Sequence, residues 1–110
     1  MKISDIKKAL NLTVYAGEEQ LDNPVNGGYV SDLLSDVMGN VEEDSVWITI
    51  QNHKNVVAIA TLREVAAVIL AKGIEPDEEM LHFAKEEGLP VLGSTEEVFP
   101  LSGKLYKLIK

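Results

Sequence analysis

Three short segments carry the side chains best suited to gripping a small polar molecule: Gln51-Asn52-His53-Lys54-Asn55, Ala71-Lys72-Gly73 and Gly93-Ser94-Thr95. Amides, an imidazole, an ammonium and two hydroxyls supply donors for a phosphate or a carboxylate. Each segment directly follows an apolar run that reads as a strand, and open α/β sheets bind their ligands beyond the carboxyl ends of the strands. If the three strands are neighbours, Gln51, Asn52, His53, Asn55, Lys72, Ser94 and Thr95 converge on one rim. The competing explanation is that Asn, Ser and Thr there only cap helices, which they do whether or not a ligand binds. A second candidate is Asn26-Gly27-Gly28, which closes the polar run from Glu18. Glycine enters positive φ without steric cost, so Gly27 and Gly28 mark either a tight turn or a point where another backbone comes close.

Other chemistries find no purchase. The chain has no cysteine, which removes thiolate catalysis, disulfides and cysteine metal sites. Its two histidines, His53 and His82, lack the ligand spacing of a metal site, so no metal or cofactor is expected. Phosphate-cradling G-x-x-x-x-G-K-[ST], G-x-S-x-G and G-x-G-x-x-G are all absent, and no carboxylate is singled out as a partner for His53. No catalytic residue is assigned and no enzyme activity is expected. The net charge of −8, from ten basic and eighteen acidic residues, argues against nucleic acid, which demands clustered Lys and Arg. No apolar stretch reaches the roughly 18 residues that would span a bilayer. The opening Met1-Lys2-Ile3-Ser4-Asp5 lacks the apolar region of a secretory leader, so the cytoplasm is the expected location.

The elements that must position these residues follow from periodicity. With 110 residues, 45% hydrophobic and 25% charged, one domain over residues 1–110 is expected. Ser4 is placed to cap a helix running to Leu10, and Thr13-Val14-Tyr15-Ala16 reads as a brief strand stopped at Gly17. Tyr29 to Leu34 reads as extended, followed by one helical turn closed by Gly39. Val46-Trp47-Ile48-Thr49-Ile50 is the clearest strand, with Trp47 expected in the core. A helix with Val56, Val57, Ala60 and Leu62 on one side follows, with Asn52 or Asn55 able to cap it. Val65 to Leu70 fits either an extension of that helix or a strand covered on both faces. We read it as a strand, because Arg63-Glu64 punctuates the run and Ala71-Lys72-Gly73 closes it. Pro76 leads into a helix ending at Gly88. Leu89 to Leu92 is a strand, and Ser94-Thr95-Glu96-Glu97 has the form of a capping box. Pro100 is expected to kink or restart the last helix before Leu101. From Val46 onward the order is β-α-β-α-β-α, the signature of an α/β fold with a small, mainly parallel sheet and flanking helices.

The order of these features resembles the DRTGG domain family. Leu21-Asp22-Asn23-Pro24-Val25-Asn26-Gly27-Gly28 is similar to the signature that names the family, with Asn23 standing where the signature has arginine and Val25-Asn26 interrupting its spacing. The strand from Tyr29, the strand Trp47-Ile48-Thr49-Ile50, the helix opened by Asn52-His53-Lys54-Asn55, the helix after Glu75-Pro76-Asp77-Glu78 and the run Gly88-Leu89-Pro90-Val91-Leu92 follow in the family's order. The resemblance implies a fold like the N-terminal domain of HPr kinase/phosphorylase, without that enzyme's catalytic half. It also implies a regulatory role, since DRTGG domains accompany CBS domains in pyrophosphatases and attach to acyl-transfer and amidotransferase-like enzymes. Free-standing relatives belong to fermentative bacteria and are encoded near iron-only hydrogenase components. Two functions stay open at this point. One is sensing a nucleotide or other small anion at the rim. The other is protein interaction, as a homodimer or as a subunit of a hydrogenase or other redox or regulatory complex.

Overall fold

In the computed structural model, which describes residues 1–110, five strands form one sheet in the order β1-β5-β4-β3-β2. They are β1 (Thr13–Ala16), β2 (Gly27–Val30), β3 (Ser45–Thr49), β4 (Ala67–Leu70) and β5 (Val91–Gly93). The helices are α1 (Ile3–Leu10), α2 (Leu34–Asn40), α3 (Lys54–Leu62), α4 (Glu78–Glu87) and α5 (Val98–Ile109). β2 through β5 pair in parallel, each with the next in sequence, and only β1 runs antiparallel, against β5. The expected α/β class with a mainly parallel sheet is what the chain adopts.

Alternation along the strands decides which helices lie where. Trp47, Val68, Leu70 and Val91 pack against Val37, Val56, Val57, Ala60, Met80 and Ala84, which belong to α2, α3 and α4. Val46, Ile48, Ala67, Ile69 and Leu92 face the other way, onto Ile3 and Ile6 of α1 and Leu101 and Leu105 of α5. Successive side chains of a strand point to opposite faces, so two helical layers require strands that are apolar throughout. All residues of β3, β4 and β5 are buried. That double coverage is why Val65–Leu70 has no polar alternation, and it confirms the strand over the helix. The crossovers β2-α2-β3, β3-α3-β4 and β4-α4-β5 use one face, as uniform right-handed connections require.

Several local expectations are corrected. The α1 N-cap is Lys2, whose amide donates to Asp5 Oδ2 at 2.9 Å, so Ser4 lies inside the helix. Gly27 and Gly28 are the first residues of β2 and neither has positive φ. They form no turn. α2 begins at Leu34 and carries Gly39 within it. Leu62 is exposed rather than part of the α3 core stripe. Neither Asn52 nor Asn55 caps α3: His53 holds the cap position and makes no side-chain cap bond. Ser94 to Glu97 form no capping box either. Ser94 Oγ accepts from the Glu96 amide at 3.0 Å, two residues on, and α5 starts only at Val98. Pro100 is the third residue of an unbroken α5, where a missing N–H costs nothing because the first turn has no intrahelical acceptor for it.

Candidate functional site

The carboxyl ends of β2, β3, β4 and β5 lie side by side, so Asp32, Gln51–His53, Lys72–Gly73 and Ser94–Thr95 follow one another along one rim. Direct bonds tie the neighbours. The Gly73 amide donates to the Ser94 carbonyl at 2.8 Å and the Lys72 amide to the Glu96 carbonyl at 2.8 Å. At the β3 exit, Asp32 Oδ1 accepts from Thr49 Oγ1 at 2.7 Å and from the Ile50 amide at 2.9 Å. Gln51 Nε2 donates to the Asp32 carbonyl at 3.1 Å. Its Oε1 lies 3.2 Å from His53 Nε2, and an amide oxygen can only accept, so His53 carries its proton on Nε2 in this contact.

The rim divides into a part consumed by structure and a part that is open. Asn52 Nδ2 donates to the Glu75 carbonyl at 2.8 Å, and its own carbonyl accepts from the Asp77 amide at 2.9 Å. Asn52 therefore braces the approach to α4, whose N-cap Asp77 accepts from the Met80 amide at 2.8 Å. His53 has the Gln51 amide as its ring partner rather than a carboxylate, and Asn55 is exposed in the first turn of α3. Lys54 is exposed and pairs with Glu79 at 3.4 Å.

The open part lies at the β5 end. A cleft of about 430 Å³ is lined by Asn11, Thr13, Ser94, Thr95, Glu96 and Lys104, among others. Lys104 Nζ spans it to Glu96 Oε1 at 2.7 Å. Lys72 stands beside it with its backbone in the left-handed region, φ 64°, and its exposed ammonium has no carboxylate partner. Gly27 and Gly28 are not part of this rim. They open β2 at the opposite, amino end of the strands, and so does the segment before them. Asn23 Nδ2 there donates to the carbonyl of Ala66, just ahead of β4, at 3.2 Å.

At the same far edge lies a larger, apolar groove of about 640 Å³ between β2 and α5. Phe99 and Tyr106, seven residues apart on α5, stand 90% and 68% exposed beside it, and Val30 of β2 is 48% exposed. The sequence contained the signal for this groove: α5 has apolar residues outside the Leu101–Leu105 stripe that faces the sheet. No group of three or more His, Asp or Glu side chains is arranged to hold a metal ion. No helix is long and apolar enough to cross a membrane.

Comparison with known proteins settles the family. The DRTGG domain model matches residues 5–108. The chain belongs to the DRTGG domain family. One solved structure similar to this DRTGG domain is that of the CBS and DRTGG domains of the regulatory region of Clostridium perfringens pyrophosphatase, complexed with the activator diadenosine tetraphosphate. The two superpose with a TM-score of 0.77 at 18% identity, over 96% of this chain and 46% of that one. The likeness is one of fold, and the DRTGG domain described here spans about half the length of its neighbour. No curated protein matches the chain.

Proposed function

We propose that this DRTGG domain, as one unit over residues 1–110, is a non-catalytic regulatory module that binds a nucleotide or other small anion at the strand-end rim. The observation that carries this reading is the polar cleft beside Ser94 and Thr95. It lies beyond the strand carboxyl ends, where open α/β sheets take ligands, and its volume is that of a small-molecule site. Lys104 lines it, and the Lys72 backbone amide bonds to the carbonyl of the cleft residue Glu96, which puts a second, exposed lysine at its border. Lys104 is held meanwhile by Glu96 across 2.7 Å, a carboxylate that the ligand would displace. The Clostridium perfringens regulatory region, similar in fold, is complexed with a dinucleotide activator, which supports a nucleotide as the class to test first. Lys72, Ser94 and Thr95 are the rim residues that would meet the ligand. Gln51 bonds to Asp32 and His53, and Asn52 to Glu75 and Asp77, so these three brace the rim.

Thermal denaturation against AMP, ADP, ATP and diadenosine tetraphosphate tests the proposal. A ligand at one hundred times its Kd adds about 2.7 kcal/mol to the folded state, so at least one nucleotide should raise Tm. Lys104→Ala and Lys72→Ala should reduce the rise, whereas Glu96→Gln should enlarge it by removing the competing carboxylate. No rise with any of the four nucleotides, nor with inorganic phosphate or pyrophosphate, overturns the reading.

A further inference from the structure

The groove between β2 and α5 is independent of the rim and larger than the rim cleft. β2 is the last strand of the sheet, so its outer edge pairs with nothing. Such an edge is a ready template for another strand. Its first residues carry no side chains: a Cβ on Gly27 would meet no atom within 4 Å, so the trough stays open there. At Gly28 a Cβ would stand 3.3 Å from Leu105 Cδ2, which shows how closely α5 approaches the strand. Phe99 and Tyr106 rise on the other wall, Phe99 almost wholly in water and Tyr106 mostly so. Apolar side chains exposed together beside an unpaired edge mark an interaction surface.

Charge indicates the kind of partner. Three of the ten basic residues, Lys104, Lys107 and Lys110, lie within residues 98–110, while none of the eighteen acidic residues does. Lys104 is engaged by Glu96, but Lys107 and Lys110 have no ion-pair partner. Lys110 lines the groove, and Lys107 adjoins it on the helix surface. Two lysines without ion-pair partners at an apolar groove complement a carboxylate-bearing partner, and the unpaired edge of β2 suits an extended chain.

We propose that the β2–α5 groove docks an extended acidic segment of another protein. The segment adds to the sheet beside β2, sets its apolar side chains between Phe99 and Tyr106, and places its carboxylates on Lys107 and Lys110.

The test uses the full chain, labelled with 15N, and synthetic peptides of three alternating apolar residues with three glutamates at either end. Controls carry lysines in place of the glutamates. The expected result is amide shifts confined to Gly27–Val30 and residues 98–110. Binding should be at least tenfold weaker for the lysine peptides, for Lys107→Glu/Lys110→Glu, and for Phe99→Ser/Tyr106→Ser, whose side chains are exposed and not needed for folding. Equal binding of acidic and basic peptides, or no shift at millimolar peptide, overturns the proposal. So does a concentration-dependent dimer that Phe99→Ser/Tyr106→Ser abolishes, which would give the face to a second copy.

Discussion

Asp32 closes the carboxyl end of β3 through Thr49, whose buried hydroxyl lies 2.7 Å from Asp32 Oδ1. The same oxygen receives the Ile50 amide, so one side chain ends both β2 and β3 and sets where the rim begins. Asp32→Ala would leave a buried hydroxyl without its acceptor. Unsatisfied buried polar groups cost about 1–3 kcal/mol, and urea denaturation should show a loss in that range. Asp32→Asn keeps an acceptor oxygen and should lose less.

Gly17 and Gly73 share positive φ, 76° and 71°, but not their surroundings. A Cβ on Gly73 meets nothing within 4 Å, whereas one on Gly17 would lie 2.4 Å from the Pro90 nitrogen and 2.5 Å from the Leu89 carbonyl carbon. Gly73→Ala should therefore cost only the left-handed backbone penalty, about 1–2 kcal/mol. Gly17→Ala must also displace the chain entering β5 and should be clearly worse, either by more than about 4 kcal/mol or by failure to fold. Equal losses in the two variants would refute this assignment.

Lys72 holds φ 64° at the rim, a conformation that costs a side-chain-bearing residue about 1–2 kcal/mol. Lys72→Gly removes that strain, and the greater freedom of glycine in the unfolded chain offsets about 0.5–1 kcal/mol of the gain. Stability should stay level or rise slightly, while any nucleotide-induced rise in Tm falls. A variant that lost stability would show that the Lys72 side chain serves the fold rather than a ligand.

Tyr29 donates from its hydroxyl to both carboxylate oxygens of Asp36, at 3.0 Å each. Partial burial, then this bond and the charge of Asp36, hold the phenol above its ordinary pKa of 10. A raised folded-state value means that the contribution to stability is complete below about pH 10, the unfolded value, and is lost as pH rises through the folded value. In a spectrophotometric titration at alkaline pH, Tyr29 should ionise after its ordinary range. Asp36→Asn should bring it back down, and an unchanged titration would count against the Asp36 contact.

Much of this architecture was legible in the chain itself. Val46–Ile50 and Val65–Leu70 stand within two residues of β3 and β4, because a strand covered on both faces is predominantly apolar, and Thr13–Ala16 coincides with the edge strand β1. Gly88 ends α4 with φ 68°, as its position after an apolar stripe implies. Gly27-Gly28 and Pro100 were misleading for one reason. Composition marks residues that permit a turn or a break, and permission is not use. Gly28 serves instead to let Leu105 approach β2, and Pro100 falls where α5 has no hydrogen bond to lose.

The sequence by itself determined the α/β class, the run of parallel strands and the family, since all three depend on the order and period of apolar residues. Only the tertiary structure decided that Lys72, Ser94 and Thr95 share one rim while Gly27 and Gly28 lie at the other end of β2. It also decided that Asn52 and His53 are taken up by Glu75, Asp77 and Gln51, and that Phe99 and Tyr106 face water beside an unpaired edge. Those outcomes depend on strand order and on which partner a polar group reaches first. Both are contacts between residues far apart in the chain, to which local pattern is blind.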